Sequence, residues 1–286
     1  MDMKIVYDHV TYRYHPQASP AIQDVNLEFE TSAIIGICGR TGSGKSTFVQ
    51  HLNGILKPGA GRVLIDSADI HQSPETLRRI RQRIGMTFQF PERQLFGRTV
   101  WEELAYTLAK RHIPEDEIVR RIETVSELLQ LDLHQHRDRS PFALSRNEQR
   151  KLGIAVVLSL QPELLMLDEP TAGMDRQSSR HLLAVLSRLH RHHHIHLMLV
   201  SHNLELLLKY TEYIIVLAEG KVALAGTPLE ILKAAEQLEQ FGIGLPPVHR
   251  TLHLLQTRYA QIHTGVLSVH EAVEEVTRHV YPSTKP

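Results

Sequence analysis

The densest chemical information in the chain lies in one stretch, Gly39-Arg40-Thr41-Gly42-Ser43-Gly44-Lys45-Ser46-Thr47. Its glycines let backbone N–H groups turn inward around anionic oxygens, and a helix start just after them adds positive potential. Lys45 supplies a charge that can reach outer phosphates, and the Ser46 hydroxyl can ligate magnesium. This is the P-loop pattern, and it follows directly on the apolar run Ile34 to Cys38, where a buried strand would hand over to a helix. A second run, Leu164 to Leu167, ends in Asp168 and Glu169. Asp168 could hold magnesium, directly or through water, while Glu169 could polarise an attacking water as a general base. A third run, Leu197 to Val200, ends in Ser201-His202, whose imidazole can bond a phosphate oxygen near neutral pH.

Two further residues suit the same chemistry. Gln89, in Gly85-Met86-Thr87-Phe88-Gln89-Phe90-Pro91, carries an amide that could ligate magnesium or orient water, and Tyr14 offers a flat face for stacking on a base. Each has a plainer reading taken alone. An acid pair after a strand is usually a solvated loop start, a lone histidine is usually structural, and a tyrosine ahead of a turn usually packs on its strand. The P-loop makes those plainer readings poor explanations of the set.

The elements that must position these residues follow from the hydrophobic pattern. Lys4 to Tyr7 and Val25 to Phe29 alternate around the turn-rich His15 to Pro20, which predicts antiparallel strands with one wet face. The three short apolar runs predict strands of a parallel sheet buried on both faces. Between the first two runs a long, mostly helical stretch is expected. Ser73-Pro74-Glu75 marks one helix start, and Pro114 before Glu115-Asp116-Glu117 marks another. An inserted helical subdomain over about residues 90–160 is the consequence. A helix is expected over Ser178 to Leu189, with the histidine tract 190–196 as a solvated loop rather than a metal site. Thr227-Pro228-Leu229-Glu230 is a capping box, and Gly242, Gly244, Pro246 and Pro247 punctuate a boundary. The expected division is 1–246 for the main domain and 247–286 for a small helical extension.

Composition limits the alternatives. With 286 residues, 42% apolar and 22% charged, the chain can bury a large core, which excludes a disordered protein. The 32 basic residues balance 32 acidic ones, so no global basic excess points to nucleic acid. Cys38, the sole cysteine, can form no internal disulfide, which fits a reducing cytoplasm. No apolar stretch approaches the ~20 residues of a membrane span. A soluble chain is expected, attached to a membrane only through partners.

At this point the sequence resembles ABC-type nucleotide-binding domains over about residues 1–240. Gly39 to Ser46 matches Walker A, Leu164 to Asp168 Walker B, Glu169 the catalytic glutamate, Gln89 the Q-loop, Ala172 to Asp175 the D-loop and His202 the switch histidine. Tyr14 matches the adenine-stacking aromatic. A narrower resemblance is to the second ATPase of energy-coupling factor transporters, carried by Phe88 to Phe96 and Asp168 to Gly173. The resemblance implies an α/β fold: a P-loop NTPase core with a mostly parallel sheet, an N-terminal antiparallel β-subdomain, an inserted helical subdomain and a C-terminal helical extension. It also implies ATP and magnesium, with Ser46, Gln89 and Asp168 on the metal. The implied partners are a sister ATPase in a heterodimer, a transmembrane coupling protein and a substrate-binding membrane subunit. The chain would then sit peripherally on the cytoplasmic face of the cell membrane, energising uptake of vitamins or other micronutrients. Rival readings are the ATPase of a transition-metal-ion importer and a soluble ABC ATPase of DNA repair or translation. The latter usually shows a coiled-coil insertion or two cassettes. A P-loop kinase or GTPase would not require Gln89, Glu169 and His202.

The sequence departs from the family at one motif. The signature Leu-Ser-Gly-Gly-Gln is here Leu144-Ser145-Arg146-Asn147-Glu148. In the family this segment closes over the partner's nucleotide, with the serine, here Ser145, facing the γ-phosphate. Ser145 and Glu148 still form a capping box in sequence, so the helix start is expected to survive while the phosphate-facing surface changes. Unequal ATP sites are the expected result. The segment Phe90 to Phe96 is expected to form part of the groove for the membrane subunit.

Overall fold

The structure, a computed structural model, describes residues 2–280. Its first strands are β1 (Lys4–Tyr12) and β2 (Ile22–Glu30), paired antiparallel, as their alternation predicts. The third, β3 (Ile35–Cys38), runs into α1 (Lys45–Leu52) through the glycine-rich loop. Next come β4 (Ala60–Ile65), β5 (Ala68–Asp69), α2 (Pro74–Arg83) and β6 (Ile84–Thr87). Four helices follow: α3 (Val100–Lys110), α4 (Glu115–Leu128), α5 (Leu133–His136) and α6 (Arg146–Leu158). The chain then alternates through β7 (Leu164–Asp168), α7 (Arg176–His193), β8 (His196–Ser201), α8 (Leu204–Tyr210) and β9 (Tyr213–Ala218). It ends with β10 (Lys221–Gly226), α9 (Pro228–Lys233), α10 (Ala235–Gln240), α11 (Pro247–Gln256) and α12 (Val269–Val280).

An antiparallel sheet of order β2-β1-β4-β5 packs beside a larger sheet of order β10-β9-β3-β8-β7-β6. In the larger sheet every pairing is parallel except the β9/β10 hairpin. Period-2 alternation sends its side chains into two cores. Leu164 and Met166 face α1 and the antiparallel sheet, with Phe48, Val49 and Ile5. Leu165 and Leu167 face the helices, with Leu104, Ile122, Leu152 and Leu186. Burial on both faces explains why these strands read as unbroken apolar runs.

Register decides function here. Cys38 lies opposite Ser201 and Asp168 opposite Val200, so Gly39, Glu169 and His202 leave the sheet side by side. Thr87 lies opposite Leu167, which brings Gln89 out at the same end. Ligands of open α/β sheets bind at this carboxyl edge.

Two expectations change. The stretch read as mostly helical also holds β4, β5 and β6. Their apolar signal is short: Val63 and Ile65 in β4, and four residues interrupted by Gly85 in β6. The helix expected to end at Leu189 runs on to His193, so most of the histidine tract is the last turn of α7 and only His194 and Ile195 separate it from β8. Histidines near a helix C-terminus suit its dipole. Among the described residues no group of three or more His, Cys, Asp or Glu could hold a metal ion. The Ser73 and Thr227 caps form as expected, each accepting from the third backbone N–H of its helix. In the expected extension 247–286, Leu252, Ile262, Val266 and Ala272 form a small separate core, while residues 281–286 lie outside the described region.

Candidate active site

The Gly39–Thr47 loop wraps the start of α1. Gly42 and Gly44 hold φ of 83° and 101°, a left-handed backbone that favours glycine. A Cβ on Gly44 would lie 2.5 Å from the Ala21 carbonyl, whereas one on Gly42 would meet nothing within 4 Å, so the loop opens outward there. The N-terminus of α1 has no side-chain cap and no acid in its first turn. Ser43 is buried, and its Oγ has no hydrogen-bond partner among the described residues. Uncapped N–H donors, a buried hydroxyl and an open cradle together fit an anionic phosphate chain.

Lys45 lies over this loop, donating to the Gly39 and Arg40 carbonyls at 2.8 and 2.9 Å. Burial lowers its pKa, and the nearby Glu169 and Asp168 carboxylates oppose that shift. Ser46 Oγ donates to Asp168 Oδ2 at 2.9 Å, joining the first turn of α1 to the end of β7. Burial raises the Asp168 pKa, and the Ser46 hydrogen bond pulls it back. Two hard oxygen donors held together in this way suit magnesium.

Glu169 takes a left-handed φ of 48°, uncommon for a residue with a side chain. Its N–H bonds the Val200 carbonyl at 2.9 Å, pinning it to β8. Its carboxylate Oε1 accepts from the His202 backbone N–H at 2.9 Å and from His202 Nδ1 at 2.6 Å, and Oε2 accepts from Ser201 Oγ at 3.3 Å. Because a carboxylate only accepts, the His202 proton sits on Nδ1, leaving Nε2 on an imidazole that is 65% exposed. The strained turn thus aims an acid and a histidine together at the mouth of the cradle.

Tyr14 reaches the same place. Its hydroxyl lies 3.0 Å from Thr47 Oγ1, its ring sits edge-on to Tyr12, and about half of its surface is open. Gln89 is exposed just beyond β6. Ser145 bonds to none of this group, and its bonds stay within its own helix turn. It caps α6 by accepting from Glu148 N–H at 3.4 Å while Glu148 Oε2 accepts from Ser145 N–H at 2.8 Å, completing the expected capping box.

Around that turn the structure reveals side chains the sequence reading missed. Arg150, 3% exposed, forks onto the Glu92 carboxylate at 3.0 and 3.2 Å and donates to the Pro170 and Ala172 carbonyls at 3.0 and 2.7 Å. It therefore ties α6 both to the turn after Gln89 and to the segment after Glu169. Gly153 lets α6 approach that turn, since a Cβ there would lie 2.8 Å from Pro91. Asn147 Nδ2 donates to Ser178 Oγ at 2.8 Å, and Gln149 donates to the Pro141 and Leu144 carbonyls. An arginine on the otherwise apolar face of α6 was the available signal.

Comparison with known proteins agrees with this geometry. Residues 22–172 match the ABC transporter family. The energy-coupling factor transporter ATP-binding protein EcfA2 of Caldanaerobacter subterraneus subsp. tengcongensis is 36% identical over 97% of this chain and 98% of its own length. Its counterpart in Symbiobacterium thermophilum is 38% identical over 96% of each chain. Among solved structures, cbiO1 of Clostridium perfringens, part of the ABC transporter complex cbiONQ, superposes with a TM-score of 0.76 at 30% identity, covering 90% of this chain and all of that one. A dimeric ATP-binding cassette bound to ADP and phosphate shares the fold at a TM-score of 0.69 and 24% identity, over 79% of this chain and 98% of the other. The chain belongs to the ABC transporter family and, within it, to the energy-coupling factor transporter ATP-binding proteins: it is an ATP-binding, ATP-hydrolysing subunit of a transporter.

Proposed function

We propose that this chain works in a heterodimer with a sister ATPase, bound to a transmembrane coupling protein and a substrate-binding membrane subunit, and powers uptake of a vitamin or similar micronutrient. The observation that carries this reading is the contrast between Glu169, held with His202 beside the chain's own cradle, and Ser145, whose bonds stay within its own helix turn. A chain so arranged completes one nucleotide site with its acid and offers its signature to another.

At the chain's own site, Tyr14 stacks on the adenine, while Gly39 to Thr47 and Lys45 bind the phosphates. Glu169 accepts a proton from the attacking water, with His202 orienting the terminal phosphate. Ser46, Asp168 and Gln89 would hold magnesium, which when bound offsets charge on the phosphate oxygens. Residues 1–246 form the ATP-binding domain, with the helical part near 90–160, and 247–286 form an extension. Phe96, 61% exposed and edge-on to the exposed Tyr106, marks the surface for the membrane partner. No helix among the described residues is long and apolar enough to cross a membrane. In this reading, attachment runs through the partners at the cytoplasmic face.

At the partner's site the altered signature replaces close backbone approach with the side chains of Arg146 and Asn147, and the two sites turn over unequally. Extraction of the native assembly in mild detergent tests the partner set. A sister ATPase and at least one integral membrane protein should accompany this chain; recovery of the chain alone, or with soluble partners only, contradicts the proposal.

A further inference from the structure

The altered signature puts a carboxylate, Glu148, where the family carries an amide, at the helix start that the heterodimer reading turns toward the partner's nucleotide. A free carboxylate there would repel phosphate. Both of its oxygens have a polar neighbour. Oε2 accepts from the Ser145 backbone N–H, and Oε1 lies 3.1 Å from Nε2 of His136. His136 closes α5, a different element, with a side chain only 6% exposed.

The ring's second nitrogen identifies the donor. Nδ1 of His136 lies 3.3 Å from Arg139 Nη1. A guanidinium can only donate, so Nδ1 accepts and the ring proton sits on Nε2, the nitrogen that lies beside Glu148. Arg139 thus orients His136, which places its Nε2 beside the Glu148 carboxylate from the buried side. The Ser145 hydroxyl, with His136 adding to it, holds the Glu148 carboxyl below the usual carboxylate range. Lys151 adds a further attraction to the same charge.

We propose that His136 is a positioning residue for the altered signature: it holds the Glu148 carboxylate away from the phosphate-facing edge and so keeps Ser145 usable by the partner's nucleotide. The proposal rests on the heterodimer reading. It makes the departure from Gln to Glu148 a compensated change, with the loss of the two glycines as the part that slows the partner's site.

The test uses the assembled heterodimer with this chain's own site silenced by Glu169→Gln, reading the single-turnover rate of ATP cleavage at the partner's site. His136→Ala should lower that rate about tenfold, the scale of losing a hydrogen bond to a charged group. His136→Gln, which keeps an N–H donor, should retain most of it, and Glu148→Gln alone should change it by less than about twofold. Adding Glu148→Gln to His136→Ala should restore the rate to within about twofold. A loss of the same size with and without the Glu148 charge would make His136 a packing residue and overturn the proposal. Should His136→Ala fail to fold, His136→Leu fills the space without a donor and takes its place. Ser145→Glu separates the two layers of inference. If it leaves the partner's turnover intact, the heterodimer reading fails and the His136 proposal with it. If it abolishes turnover while Glu148→Gln rescues nothing, the His136 proposal alone fails.

Discussion

The Gly39–Thr47 loop and the Leu144–Glu148 turn both begin a helix, yet they treat their polar groups in opposite ways. At the first, Gly44 gives α1 no side-chain cap and Ser43 Oγ is buried without a partner among the described residues. At the second, Ser145 and Glu148 cap each other, Asn147 bonds Ser178, Glu148 meets His136, and Arg150 is saturated by Glu92 and two carbonyls. Buried polar groups are normally satisfied, so donors left open mark where an outside anion belongs. A surface whose polar groups are all committed keeps its shape and presents only what its exposed residues carry, here Ser145 and Arg146.

The sharpest way to break this contrast is on the cradle side. Glu169→Gln keeps the size of the side chain and one acceptor oxygen for His202, but turns the other oxygen into an NH2 donor and removes the proton acceptor. Turnover at the chain's own site should fall about a thousandfold while ATP binding persists, trapping a closed dimer. Rapid hydrolysis paired with intact binding would remove Glu169 from the role assigned to it.

On the signature side the expected effect is on stability. Arg150→Met fills similar space but leaves Glu92 and the Pro170 and Ala172 carbonyls without their partner. It should cost about 3 kcal/mol, lowering Tm by about 6–12 °C. Arg146→Met, at an exposed position, should stay within about 0.5 kcal/mol. Equal melting of the two variants would show that the polar web around α6 does not hold the turn.

How far the sequence was legible divides along the same line. The cradle, Asp168, Glu169 and His202 were readable because each stands at the end of a short apolar run, and strand register alone then brings them together. The capping box at Ser145 was readable because both its residues lie within one turn. Arg150 and His136 were not, since Glu92 lies 58 residues from Arg150 and His136 reaches Glu148 from another helix. Strand β6 escaped because four residues with a glycine carry too little alternation. Local chemistry shows in sequence; a polar contact between distant elements shows only once the fold joins them.

A several-fold change in rate tests the central claim that the two ATP sites differ because of this turn. The measurement is the single-turnover rate at the partner's site, with this chain carrying Glu169→Gln and then also Arg146→Gly, Asn147→Gly and Glu148→Gln. The account predicts a rise of several-fold, on the order of 1 kcal/mol in the barrier, as backbone amides regain close approach to phosphate. An unchanged rate would contradict it.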